Sequence, residues 1–157
     1  MTGSDNIAIR RAIETDLELL VGFQVAMAAE SEDKGLDETT LRHGISTALL
    51  DDELALYLVA EISDKAVGTL MVTWEWSDWR DGRFWWIQSV YVAPTHRRIG
   101  VYSAMHRHVS ALASEDPTAV GIRLYVEKDN SGAQATYRRL GMAETHYRLF
   151  ETEFLRN

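Results

Sequence analysis

The sequence predicts an α/β domain with a mixed, mostly antiparallel central sheet and flanking helices. Three observations lead there. Apolar β-rich runs and helical repeats alternate in the order β-α-α-β-β-β-α-β-α-β. The two prolines, Pro94 and Pro117, both fall between periodic segments. No repeat, low-complexity tract or linker interrupts residues 1–157, which read as a single domain.

The elements follow in order. Ile7 and Ile9 alternate with polar neighbours, as in a short strand. Thr15-Asp16-Leu17-Glu18 has capping-box spacing, and Leu17, Leu20, Val21, Val25 and Ala28 continue at helical spacing. Glu30 to Gly35 is a polar break. A second helix is predicted from about Glu38 to Leu50, with Leu41, Ile45, Ala48 and Leu49 on one face. Leu54–Ile62 and Ala66–Trp76, joined by Ser63-Asp64-Lys65, read as a hairpin. Asp81-Gly82 marks a further turn into Phe84–Val92, apolar at nearly every position and so covered on both faces. A helix is predicted over Val101–Ser114 and a strand over Val120–Val126. Asn130 caps a helix that Gly141 ends, and Met142–Phe154 gives a last strand.

Composition narrows the function. The chain is 46% hydrophobic and 25% charged, ordinary for a globular protein long enough to bury one core. Without cysteine it has no disulfide, thiolate nucleophile or thiolate metal site, which fits a reducing, cytoplasmic setting. A net charge of −8 argues against nucleic acid as the partner. It suits a cationic small molecule, or solubility alone. No run approaches the ~20 apolar residues of a membrane span, and Met1 to Asn6 lacks the apolar core of a signal peptide. His106 and His108 diverge on one helix, and His43, His96 and His146 are scattered. No HExxH spacing occurs, so no metal is expected. No serine has a G-x-S-x-G setting, which leaves hydrolase chemistry unsupported.

The most informative segment is Val90 to Ser103, VYVAPTHRRIGVYS. A buried strand runs into Arg97 and Arg98, then Ile99, Gly100 and a helix beginning Val101-Tyr102-Ser103. A helix start offers unpaired N–H groups and partial positive charge, and glycine lets the main chain approach a ligand, so the segment can cradle a pyrophosphate. A solvated basic loop before an ordinary helix is the alternative. The segment resembles the pyrophosphate motif Q/R-x-x-G-x-G/A of the GCN5-related N-acetyltransferases. Arg97 and Gly100 match, and Tyr102 stands where a small residue is usual, either narrowing the cradle or turning its ring aside. Further on, Asn130, Ala133, Tyr137 and Gly141 resemble the family pattern N-x-x-A-x-x-x-Y-x-x-x-G-F, with Met142 for the phenylalanine. The order of elements from Ile7 to Phe154 is similar as well.

This resemblance implies an acyl-CoA N-acyltransferase-like fold and a single N-acetyltransferase domain that uses acetyl-CoA. It implies that main-chain atoms of Val90 and Val92 hold the pantetheine, that Asn130 contacts its arm, and that Tyr137 protonates the departing thiolate. A phenol with pKa ~10 keeps its proton at neutral pH and can give it to a developing anion.

All five tryptophans fall between Trp74 and Trp86, mixed with carboxylates. Rings and charge could hold a cationic ligand; a packed sheet or a dimer interface explains them equally. The resemblance puts the acceptor amine near this meander, making Trp74, Trp76 and Gln88 candidate substrate contacts. Gln88-Ser89 stands where the similar polyamine-acetylating branch carries Glu-Asp, which weakens a polyamine reading. Without an acyl-carrying cysteine, direct attack in a ternary complex is expected, with Glu75 as candidate base and Gln88 placing a water. The alternative is a non-catalytic acyl-CoA sensor. The tryptophan rim, the last strand and the habit of the family imply a homodimer.

Overall fold

The computed structural model describes residues 6–31 and 35–156. The chain divides into two compact units, Met1–Tyr125 and Val126–Asn157. The first contains β1 (Ile7–Arg11), α1 (Leu17–Ser31), α2 (Glu38–Leu50), β2 (Leu56–Ile62), β3 (Lys65–Ser77), β4 (Gly82–Val92), α3 (Val101–Glu115) and β5 (Ala119–Arg123). The sheet order is β1-β2-β3-β4-β5. The first four strands run antiparallel, and β5 is parallel to β4 because α3 returns the chain to the starting edge.

Strand alternation divides the core between the two faces of the sheet. Leu56 and Leu58 of β2, Leu70 and Val72 of β3, and Trp85 and Ile87 of β4 pack with Val101, Met105 and Val109 of α3. Tyr57 and Val59 point the other way, onto Leu20 and Val21 of α1 and Ile45 and Ala48 of α2. Both faces are thus covered, as the near-continuous apolar strands predict.

Local chemistry sets the joints. Ser63 and Asp64 both have positive φ, 51° and 60°, which is the twist a two-residue hairpin needs between β2 and β3. Asp37 caps α2, its side chain accepting from the Thr39 N–H. The predicted Thr15–Glu18 capping box does not form. A single 3-10 turn, Glu14–Asp16, leads into α1 instead. The buried Asp16 carboxylate accepts from the Ile13 N–H at 2.8 Å and from both terminal nitrogens of Arg10. Glu18 is left to pair with Arg42 of α2.

Gly82, at the start of β4, is required by space. A Cβ there would lie 2.4 Å from Val120 Cγ1 and 2.5 Å from the Thr118 carbonyl oxygen. Gly82→Ala must therefore push β5 away from β4. We expect a loss of about 1–3 kcal/mol, the usual cost of overpacking, read as a lowered melting temperature. An unchanged melt would mean that β5 is held loosely.

The second unit contains α4 (Ser131–Arg139). Asn130 Oδ1 accepts from the Ala133 N–H at 3.1 Å, capping the start. At the other end the Met142 N–H donates to Tyr137 O and the Gly141 N–H to Arg138 O, with Gly141 at φ 89°. This is the Schellman closure that glycine favours. The predicted last strand is absent: residues 142–156 form no strand, and Tyr147, Leu149, Phe150 and Phe154 are exposed. β-branched and aromatic residues favour an extended chain, but a strand also needs a ladder partner, which this segment lacks among the described residues. β5 likewise ends at Arg123, short of the predicted Val126.

Candidate active site

The site begins where two strands part. The β4–β5 ladder runs from Arg83↔Ala119 to Trp86↔Arg123 and stops. Beyond Trp86, the β4 edge facing away from β3 has no strand partner among the described residues. β4 also bends there. Its register with β3 shifts between Thr69↔Tyr91 and Met71↔Gln88, and Ser89 adopts a left-handed φ of 52°. Such a bulge re-aims a strand. Gln24 of α1 secures it, its Nε2 donating to the Ser89 carbonyl at 3.1 Å. Val90 and Val92 send their side chains onto the α3 core cluster, so main-chain groups are what they present to the open edge.

The basic turn follows directly. Arg97 is already engaged: Nε donates to the Val92 carbonyl at 2.9 Å, Nη2 meets Glu30 Oε2 of α1 at 2.6 Å, and the guanidinium lies over the Tyr91 ring. It ties the turn to α1 rather than standing as a free cation. Arg98 is exposed at φ 63° and Ile99 is exposed. Gly100 caps α3 at φ 91°, and among the described residues, its chain neighbours apart, nothing lies within 4 Å of where its Cβ would be. The first backbone bond of α3 is Ala104 N–H to Gly100 O, so the N–H groups of Val101, Tyr102 and Ser103 precede the helical ladder. Val101 is buried against the Gly68 backbone. Tyr102 turns aside: its ring packs on the α3 core cluster and beside His106, 6.0 Å away and one helical turn on. His106 is itself buried, and burial, with Arg107 adding, pushes its pKa down.

The tryptophan-rich meander separates into two faces. Trp74 belongs with the α3 cluster, in edge contact with Trp85, and lines an open cleft of about 380 Å3 beside Arg83, His108 and Asp116. Trp76 shares its parity and is exposed. Glu75 and Gln88 project to the opposite face, the α1/α2 side. Trp74 and Trp76 therefore lie on the face of the sheet opposite Gln88. Gln88 Nε2 donates to Thr73 Oγ1. Glu75 Oε1 accepts from Arg123 Nη1 at 2.7 Å and from the Trp86 indole at 3.3 Å. Arg123 lies 3.6 Å above the Phe84 ring centroid, and Trp86 contacts Tyr125. Glu75, Trp86 and Arg123 thus meet at the last rung of the β4–β5 ladder.

In the second unit, Tyr137 is partly buried, as are Ala133, Thr136 and Leu140 of the same helical stripe. Burial raises the pKa of its phenol. Asn130 uses its side-chain oxygen as the helix cap.

Sequence reading missed Arg123, Trp86, Gln24 and Glu30. Arg123 and Trp86 became visible only through the cross-strand register. Gln24 and Glu30 act from a helix more than sixty residues away in sequence.

Comparison with known proteins bears on the fold and the family. The model of the Acetyltransferase (GNAT) family matches residues 21–142. The chain is 42% identical to a possible acetyltransferase from Clostridium difficile 630, over 96% of this chain and 99% of that one, with a TM-score of 0.87. A predicted acetyltransferase from Clostridium acetobutylicum, solved with acetyl-CoA, shares the fold at a TM-score of 0.77 and 21% identity, over 93% and 96% of the two chains. A ribosomal-protein-alanine N-acetyltransferase from Brucella melitensis biovar Abortus 2308 does so at 0.76 and 16%, over 94% and 99%. No curated protein matches. With its family model spanning most of the chain and a close structural relative along nearly all of it, this protein belongs to the GNAT acetyltransferase family.

Proposed function

We propose that the protein transfers an acetyl group from acetyl-CoA to a primary amine of a small molecule, by direct attack in a ternary complex. The observation that carries this reading is the parting of β4 and β5 after Trp86↔Arg123, which leaves the β4 edge without a strand partner among the described residues, beside the left-handed Gly100. An amide-bearing arm can pair with such an edge, and the positive end of a helix that starts at a glycine suits a pyrophosphate. The residues fit the coenzyme: Val90 and the N–H of Val92, whose carbonyl is held by Arg97, for the pantetheine, the main chain from Arg98 to Ser103 for the pyrophosphate, and Asn130 for the arm. The coenzyme supplies an acetyl thioester.

The chain's own residues do the rest. Glu75 takes a proton from the amine, with Gln88 placing a water. The nitrogen–carbon bond forms as the carbon–sulfur bond breaks. Tyr137 gives its proton to the sulfur and is reprotonated from solvent. A main-chain N–H on the open edge of β4 can stabilise the developing oxyanion.

Free thiol release, followed with acetyl-CoA and a panel of amines, tests this. Amine-dependent release is expected, with acetyl-CoA binding seen by calorimetry. Gly100→Ala should weaken that binding about tenfold or more, because a Cβ adds left-handed strain of about 1–2 kcal/mol and enters the ligand's space. Acetyl-CoA binding without release under any amine would favour a sensor. Absence of binding would overturn the reading.

A further inference from the structure

We propose that the acceptor carries a carboxylate close to its amine, as an α-amino acid does, and that Arg123 is the residue that selects it. This rests on the amine-acetylating reading above and names the class of its substrate.

The position comes first. Arg123 is the last residue of β5 and pairs with Trp86 in the last rung before the strands part. Any group delivered along the open edge of β4 ends near this vertex. Arg123 and Glu75 thus put one cation and one anion beside the reaction centre, bonded to each other at 2.7 Å.

The second point is what the pair leaves unused. Arg123 spends Nη1 on Glu75, while its Nε and Nη2 make no hydrogen bond among the described residues. Those two N–H groups lie side by side and point the same way, which is the fork that grips a carboxylate with two parallel bonds. Glu75 spends Oε1 on Arg123 and Trp86, and Oε2 accepts from none of the described residues. One partner thus offers a carboxylate-binding edge and the other an ammonium-binding oxygen. A zwitterion with adjacent charges complements both without breaking the pair.

The third point is rigidity and access. The guanidinium is seated on the Phe84 ring at 3.6 Å, and Gly121 is where a side chain would collide with that ring, 2.9 Å from Phe84 Cε1. Arg123 is thereby fixed, and a fixed fork loses little entropy on binding. Its side chain is nonetheless 26% exposed and that of Glu75 47% exposed, so a ligand can reach both. Trp86 and Tyr125 stand alongside as an apolar wall for the acceptor's body. A polyamine is disfavoured, since its second cation would face Arg123.

The test uses amino acids of differing side chain, each beside its decarboxylated amine and its amide. Thiol release with acetyl-CoA gives kcat/KM, and calorimetry gives the affinity of each compound for protein saturated with CoA. In the wild type, the amino acid should exceed its decarboxylated partner about 10- to 100-fold in at least one series, the range of a charge-assisted hydrogen-bonded pair. Arg123→Met should bring that ratio to about one. Arg123→Lys, which keeps the charge and loses the fork, should fall between, and it carries the test if Arg123→Met fails to fold. Equal or better use of the carboxylate-free amines by the wild type overturns the proposal and leaves acetyl transfer standing. So does an unaltered ratio in Arg123→Met. Carboxylate-dependent binding without any thiol release supports the Arg123 assignment and sinks the transfer reading. The absence of both binding and release in every series overturns the proposal.

Discussion

Tyr137→Phe is expected to lower kcat about 100-fold or more, with acetyl-CoA affinity unchanged. General-acid catalysis by a positioned side chain contributes on that scale. Phenylalanine keeps the ring and removes the hydroxyl that carries the proton to be given. The environment of the residue makes the expectation sharper. Burial raises the pKa of the phenol above its ordinary value near 10, so the acid form persists at every pH where the protein would be assayed. The wild-type rate should therefore show no alkaline loss from Tyr137 below pH ~10. The same shift has a stability consequence. Because the folded pKa is the higher one, its contribution is complete below the unfolded value and is lost only as pH rises through the folded value. Stability at neutral pH should not distinguish Tyr137 from Phe on this account. A fall in acetyl-CoA affinity equal to the fall in rate would make Tyr137 a binding residue. A full rate in the variant would remove the acid from the mechanism and favour the sensor.

Where the sequence was legible, local chemistry and periodicity agreed. α2 spans Glu38–Leu50 as its apolar spacing predicts, with Ile45 and Ala48 buried. The Asn130–Gly141 motif proves to be a cap at each end of one short helix, with Tyr137 held in the last turn. The paired-face logic of β3 was also available. Residues at alternate positions share a face, so Glu75 cannot join Trp74 and Trp76, and Trp85 cannot join Trp86. Other features were hidden for physical reasons. The left-handed Ser89 changes the alternation of β4 midway, so parity read from one end fails at the other. The Thr15–Glu18 box lost to a competing network, since Asp16 satisfies both Ile13 and Arg10. The vertex at Trp86↔Arg123 depends on how a parallel strand aligns after a crossover, which no local pattern encodes.

Leu70→Ala should cost about 2–5 kcal/mol, the range for truncating a fully buried leucine. Its side chain is 0% exposed at the centre of β3, within the cluster that joins β2, β4 and α3. For a chain of this size each kcal/mol lowers the melting temperature by about 2–4 °C, so a fall of roughly 4–20 °C is expected. Leu70 also lies at the register shift between Thr69 and Met71, opposite the bulge of β4. A cavity there loosens the segment that sets the open edge, so coenzyme affinity should fall at temperatures where the variant is still folded. Phe150→Ala is the control. Phenylalanine is the larger residue, yet Phe150 is 90% exposed, and its removal should change stability by less than about 0.5 kcal/mol. If Phe150→Ala destabilised as much as Leu70→Ala, the exposed segment after Met142 would be packed against something in solution. If Leu70→Ala melted normally, the sheet would be relaxing into the space, and the bulge that aims β4 would owe its shape to Gln24 and the Ser89 carbonyl rather than to the core beneath it.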